Sequence, residues 1–243
     1  MTHTRRRRAW ALLLVGTITT TALGGGVSGA SLARHDGDAP STPVTVPEGT
    51  ALELLQKKGV AAIDRRLDSL EQLRTSVAGA SEIEPADRVT LEADIDAATL
   101  GLTAVRSTIE AGASYRSVSD AVGTIVGTFR VYSVLVPKAH LVIGIALASE
   151  AAATLERVNR DLDASVTDDA ERALLAWSDT ASAFARARVE PVRSGVLEAD
   201  AAGWPANKAT LDDAKTALID ARQALGDALD ATTRLAAGIP ASS

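Results

Sequence analysis

Residues 117–166 read SVSDAVGTIVGTFRVYSVLVPKAHLVIGIALASEAAATLERVNRDLDASV, and the fold follows from how apolar side chains recur along them. Val118, Val122, Ile125, Phe129, Tyr132 and Val136 are set apart by alternating steps of four and three, the period of one face of an α-helix. A second stripe with the same rhythm runs through Leu141, Ile145, Ala148, Ala152, Leu155, Asn159, Leu162 and Val166. Between the stripes the step from Val136 to Leu141 is five residues, which turns the buried face by roughly 100°. Pro137 stands at this junction, and a proline inside a helix removes a hydrogen bond and presses on the preceding turn. The stretch predicts one long helix over about 117–165, kinked at Pro137, with its aromatics in the core.

Working outward, Val60, Ile63, Leu67, Leu70 and Val77 predict a helix over 50–77, with Arg74 in one core slot. The segment AGASEIE breaks it, and Pro85 suits the first turn of the next helix, where a missing N–H would be unpaired anyway. That helix runs to about Ala111 on Leu91, Ile95, Ala98, Leu102, Val105 and Ile109, so the two form an antiparallel hairpin. Ser117 and Asp120 resemble a capping box opening the central helix. Downstream, Asp168 and Glu171 form a clearer box before Leu174, Trp177, Ala181 and Phe184, and Pro191 interrupts that helix. A last helix follows Trp204 and Pro205 on Leu211, Ala214, Leu218, Ala221, Leu225, Ala228, Thr232 and Leu235, ending before the tail at 238–243.

The chain is therefore read as all-α: an elongated antiparallel bundle of five to six helices with coiled-coil-like packing. Two arrangements fit. In one, residues 50–136 and 137–237 are three-helix units sharing the long helix through Pro137. In the other, the chain folds back at Pro137 into a single bundle. Composition agrees with close-packed helices, since 47 Ala stand against 2 Phe, 2 Tyr and 3 Trp. The absence of cysteine excludes disulfides, thiolate nucleophiles and a lipid-modified N-terminal Cys.

Residues 1–33 have the parts of a secretory signal: the basic run Arg5–Arg8, the apolar AWALLLVGTITTTAL and the small-residue exit GGGVSGASLA. Cleavage fits after Ala30 or after Ala33. An uncleaved N-terminal anchor is the alternative, because Ala9–Ala33 carries no charge. Arg7, Arg8 and Trp10 fit a twin-arginine signal poorly, which favours the general secretory route. Residues 34–49, rich in Pro, Gly, Ser, Thr and Asp, read as a flexible linker. Cleavage removes four arginines and no acid, so the formal charge of −6 becomes −10. A chain this acidic, with no basic stripe, is not expected to bind nucleic acid. Nor is a membrane span expected in the mature chain, because Arg130, Lys138 and His140 divide the apolar block at 118–148.

The run FRVYSVLVPKAHLVI at 129–143, preceded by AAIDRRLDSLEQL at 61–73 and followed by WPANKATL at 204–211, resembles an uncharacterised family of secreted, Ala-rich helical proteins of actinobacteria. The resemblance spans most of 50–236. It implies export and helical architecture, and it brings no activity, ligand or catalytic residue.

Chemistry is sparse. His140 is the one histidine expected in the folded part, whereas a metal site or a serine triad needs several convergent groups. Carboxylate pairs such as Asp94 with Asp96 read as solvated helix faces. Arg130 reads as snorkelling or paired with another helix, Asn159 as a core residue that fixes register, and Trp177 as core filling among alanines. Trp204 reads as a staple at the entry of the last helix. No catalytic, cofactor-binding or metal residue is assigned, and the chain is not expected to be an enzyme. If a ligand or partner is bound, the window Phe129, Arg130, Tyr132, Lys138 and His140 is the candidate, because it joins aromatic and basic groups to a proline kink. The expected role is structural or protein-interacting, with an unknown protein or envelope component as partner. The alternative is a module that holds an apolar small molecule or lipid near Phe129–Ile143.

Overall fold

The computed structural model describes residues 48–238. The expected signal at 1–33, most of the expected linker and the last five residues lie outside this range. Six α-helices follow one another: α1 (Glu48–Gly79), α2 (Pro85–Ala111), α3 (Tyr115–Gly127), α4 (Val136–Asp163), α5 (Asp169–Glu198) and α6 (Asn207–Ala237), with a π-helical turn at Val131–Leu135 before α4. Among the described residues there is no strand. Helix α1 begins at Glu48, inside the stretch read as linker.

The first hairpin forms as its sequence dictates. Pro85 occupies the first turn of α2, and Arg88 one turn later reaches back to the carbonyls that end α1, donating from Nη1 to Val77 O (2.7 Å) and from Nη2 to Ala80 O (2.7 Å). At the opposite end Gln56 Nε2 donates to Ile109 O and Gly112 O, both at 3.0 Å, closing the C-terminus of α2. Arg106 meets Asp64 between them at 2.8 Å, so the pair is antiparallel along its length. Ile63, Leu70 and Val77 face Leu91, Ile95, Leu102 and Ile109 in the core. Arg74 does not take a core slot. Leu73 fills it, and Arg74 turns outward to pair with Asp96.

The central rod differs from the expected helix in where it breaks. Its first cap is Ser114, whose hydroxyl accepts from Ser117 N at 3.3 Å, so α3 opens earlier than a Ser117 box would place it. It ends at Gly127, ten residues before Pro137. Arg130 then adopts a left-handed conformation (φ 41°, ψ 38°), and the π turn leads into α4 with Pro137 in its first turn. Pro137 follows the π turn within a continuous run of helical backbone and has no N–H to donate back to that turn, but the run continues through it, whereas a left-handed non-glycine residue terminates a helix outright. The break also changes phase. Val131, Val134 and Leu135 are buried in place of Tyr132, which is 49% exposed. Phe129 fits beside the rod because Gly101 of α2 lacks a side chain, and a Cβ there would collide with the Phe129 ring.

Helices α4, α5 and α6 pack on one another, α5 and α6 most extensively. All eight positions of the α6 stripe are buried. Opposite them α5 presents Ser178, Ala181, Ser182, Ala185 and Val189, small residues that let two helix axes approach closely. Trp177 and Phe184 consequently point outward, at 57% and 49% exposure, instead of filling the core. Pro191 does not interrupt α5, which continues to Glu198. The capping box at its start is present: Glu171 N donates to Asp168 Oδ1 (2.8 Å), and Glu171 Oε2 accepts from Thr167 N (2.8 Å).

Asn159, 1% exposed, joins the three helices. It donates to Ser178 Oγ (2.8 Å) and Asp179 Oδ1 (2.7 Å), accepts from Thr232 Oγ1 (2.9 Å), and Ser178 and Thr232 share a further bond at 2.7 Å. One apolar core runs from Ile63 in α1 to Ala228 in α6 through every helix. The stretch Tyr115–Asp163 is long and apolar enough to cross a membrane, and more than half of its most apolar window is buried against other helices.

Candidate functional site

A cleft of about 260 Å³ opens at the helix break, where the start of α4 lies against α2 and the end of α5. Its walls are mostly apolar, formed by Ala98, Phe129, Val134 and Leu135, and Lys138 lies at its base. Lys138 is only 3% exposed, so its ammonium needs partners to be tolerated. It donates to Asp94 Oδ2 at 2.7 Å and to Ala199 O at 3.1 Å, the carbonyl just past the last turn of α5. One cation thus ties α2, α4 and α5 together and satisfies a helix C-terminus, where positive charge is favoured.

The five residues of the predicted window do not converge. Phe129 and Lys138 share the cleft. Arg130 turns toward Trp204, its guanidinium 5.5 Å from the ring centroid, and its Nε is buried without a hydrogen-bond partner. Tyr132 lies against α1, where its hydroxyl meets Ser69 Oγ (3.2 Å) and donates to Arg65 O (3.1 Å) beneath the Arg66 guanidinium. His140 is exposed on α4. On a continuous helix Phe129, Tyr132 and His140 would fall within about 80° of one another and Lys138 on the opposite side, so these five groups share no single face.

A second cavity, of about 300 Å³, lies between the start of α2 and the α4–α5 pair, and it is lined by charge. Arg193 bridges Glu84 (2.6 Å) and Asp87 (2.7 Å). Its guanidinium holds the Glu84 carboxyl below the usual carboxylate range, and the hydrogen bond that Arg193 donates to Glu84 raises Arg193 in turn. Beside it Arg186 pairs with Glu156 (3.0 Å) and Ser149 donates to Glu190 (3.0 Å). The cavity wall is an ion-pair lattice that pins α5 to α2. Sequence reading missed it, since Asp87 and Arg193 are 106 positions apart and neither stands out locally. Among the described residues, no group of three or more His, Asp or Glu side chains is placed to hold a metal ion.

A further exposed feature is the outer face of α5. Ala173, Ala176, Trp177, Thr180, Ala183, Phe184, Ala187 and Pro191 are all exposed, and none carries a charge. They recur at steps of three and four, so they form a straight stripe over five turns. The signal for this face was present in the sequence, because α5 carries two apolar stripes and one of them had to remain outside. Comparison of the chain with known protein families, with curated proteins and with solved structures finds no match in any of the three.

Proposed function

We propose that this protein is an exported, non-enzymatic helical bundle that presents a helix face to a protein partner in the cell envelope or medium. The observation that carries the reading is the uncharged face of α5. Exposed aromatic rings on an otherwise small-residue surface favour association, because aromatics supply large apolar contact at low entropic cost. Export rests on the signal-like residues 1–33. The pairing of α1 with α2 and α3, and of α4 with α5 and α6, supports an elongated body of two three-helix units with coiled-coil-like packing, joined through the rod that breaks at Arg130. A photo-crosslinking residue at position 177, introduced in the producing cells, is expected to trap one discrete protein species outside the cytoplasm. N-terminal sequencing of the recovered chain is expected to start at Ser31 or Arg34. A signal confined to the cytoplasm, or no trapped species, would overturn the reading.

A second reading keeps the cleft at the break as a site for a small apolar molecule, favoured by its Phe129, Val134 and Leu135 walls. Its volume is near the lower bound for ligand sites, about 300 Å³. Mass spectrometry of the protein under native conditions is the test, and a bound apolar compound lost in Phe129→Ala would support it.

A further inference from the structure

We infer that the outer face of α5 pairs with the same face of a second copy of this chain, antiparallel and about a two-fold axis near Thr180. The inference rests on the interaction reading above and names the partner. The face is self-complementary. Trp177 and Phe184 lie at almost equal distances on either side of Thr180, so an antiparallel pairing centred there sets each Trp177 against Phe184 of the other copy. Each ring then enters a hole bounded by small side chains: Trp177 among Thr180, Ala183 and Ala187, and Phe184 among Ala173, Ala176 and Thr180, all exposed. Large-into-small packing of this kind is what closely apposed helices require.

Charge selects the same arrangement. Arg172 and Glu190 are eighteen residues apart, five turns of an α-helix, so they lie on one edge of the face at its opposite ends. In an antiparallel pair like edges meet, which brings Arg172 of each copy to Glu190 of the other. In a parallel pair unlike edges meet, and Arg172 and Glu190 would not face each other across the axis. Among the described residues Arg172 pairs with Asp169 in its own first turn and Glu190 accepts from Ser149 at the rim of the charged cavity, and both side chains are exposed. The paired helix dipoles are also opposed, which is the favourable sense. Four half-exposed rings would bury roughly 400 Å² together, taking about 100 Å² from each. With the alanines this stays below the ~1,200 Å² of a standard interface, so the dimer is weak, with a Kd of about 1–100 μM.

The test uses the protein isolated from its own cells. Sedimentation equilibrium is expected to show a monomer–dimer equilibrium that Trp177→Lys abolishes. Arg172→Glu should raise the Kd about tenfold, and adding Glu190→Arg should return it to within about twofold of the original, since the swapped charges meet again. The chain has no cysteine. A single Thr180→Cys therefore gives one thiol near the axis, expected to join two copies through a short bis-maleimide, whereas Ala104→Cys on the exposed side of α2 should not. A monomer up to about 1 mM, a dimer indifferent to Trp177→Lys, or a double swap that fails to restore affinity would each overturn the inference. A monomeric protein that still traps a different single protein at position 177 would remove self-association and leave the interaction reading standing. A monomer that traps nothing would remove both.

Discussion

Of the six aromatic side chains in the described helices and loops, Tyr115, Tyr132, Trp177 and Phe184 are about half exposed, and the interior is built from aliphatic residues and alanine. Helices that meet through alanine come too close to admit a ring, so the rings are displaced outward or into a slot made for them. Tyr132 illustrates the consequence for energetics. A packed tyrosine would cost about 3 kcal/mol or more on truncation, but this ring lies on the surface with two hydrogen bonds and a cation–π contact. Tyr132→Ala is expected to cost about 1 kcal/mol, measured by urea denaturation. Gly101→Ala should cost more, about 1–3 kcal/mol, because the added methyl must displace Phe129 from its slot. Asn159→Ala should cost about 2–3 kcal/mol, since it leaves Ser178 and Thr232 buried with fewer partners. The core role of Asn159 was readable from its place on a stripe. The exposure of Trp177 was not, because the periodicity shows that a residue lies on an apolar face and not which of two such faces is covered.

At the level of elements, helix existence was legible almost throughout. The stripes of α2 and α6 are buried nearly residue for residue, that of α1 at Ile63, Leu70 and Val77, and the first-turn proline and the Asp168 box stand where their chemistry places them. The breaks were read less well, for one physical reason: proline was given more weight than it carries. Pro137 sits within the helical run that follows the break, and Pro191 is tolerated within α5. The residue that divides the rod is Arg130, and no composition rule marks an arginine as left-handed. Pro191→Ala is expected to stabilise the protein by about 1 kcal/mol, since a backbone N–H becomes available to the Ala187 carbonyl. A fall in melting temperature on this substitution would show that α5 depends on the proline.

For the whole molecule, the link between α5 and α2 is electrostatic as well as apolar, and it responds to acid. Arg193 depresses the Glu84 carboxyl below its ordinary value of 4.5. A group whose folded pKa lies below its unfolded one stabilises the protein above the unfolded value, and that contribution is lost as pH falls through the folded one. Thermal melting is therefore expected to be insensitive to Glu84 protonation above about pH 4.5 and to fall below it. In Glu84→Gln the acid-dependent part of that fall should be smaller. The α1–α2 hairpin was legible from its short connection and matched lengths, but the bridges from α5 to α2 join residues whose proximity no local pattern encodes. The π turn carries a last consequence, for chain length. A π turn is an α turn with one residue added, so it is the point along the rod where a single-residue deletion can be absorbed by reverting to ordinary helical geometry. Deleting Ser133, exposed within that turn, is expected to leave helicity and the melting temperature nearly unchanged. Deleting Thr216 from α6 would rotate every later position of its stripe by about 100° and unfold the bundle.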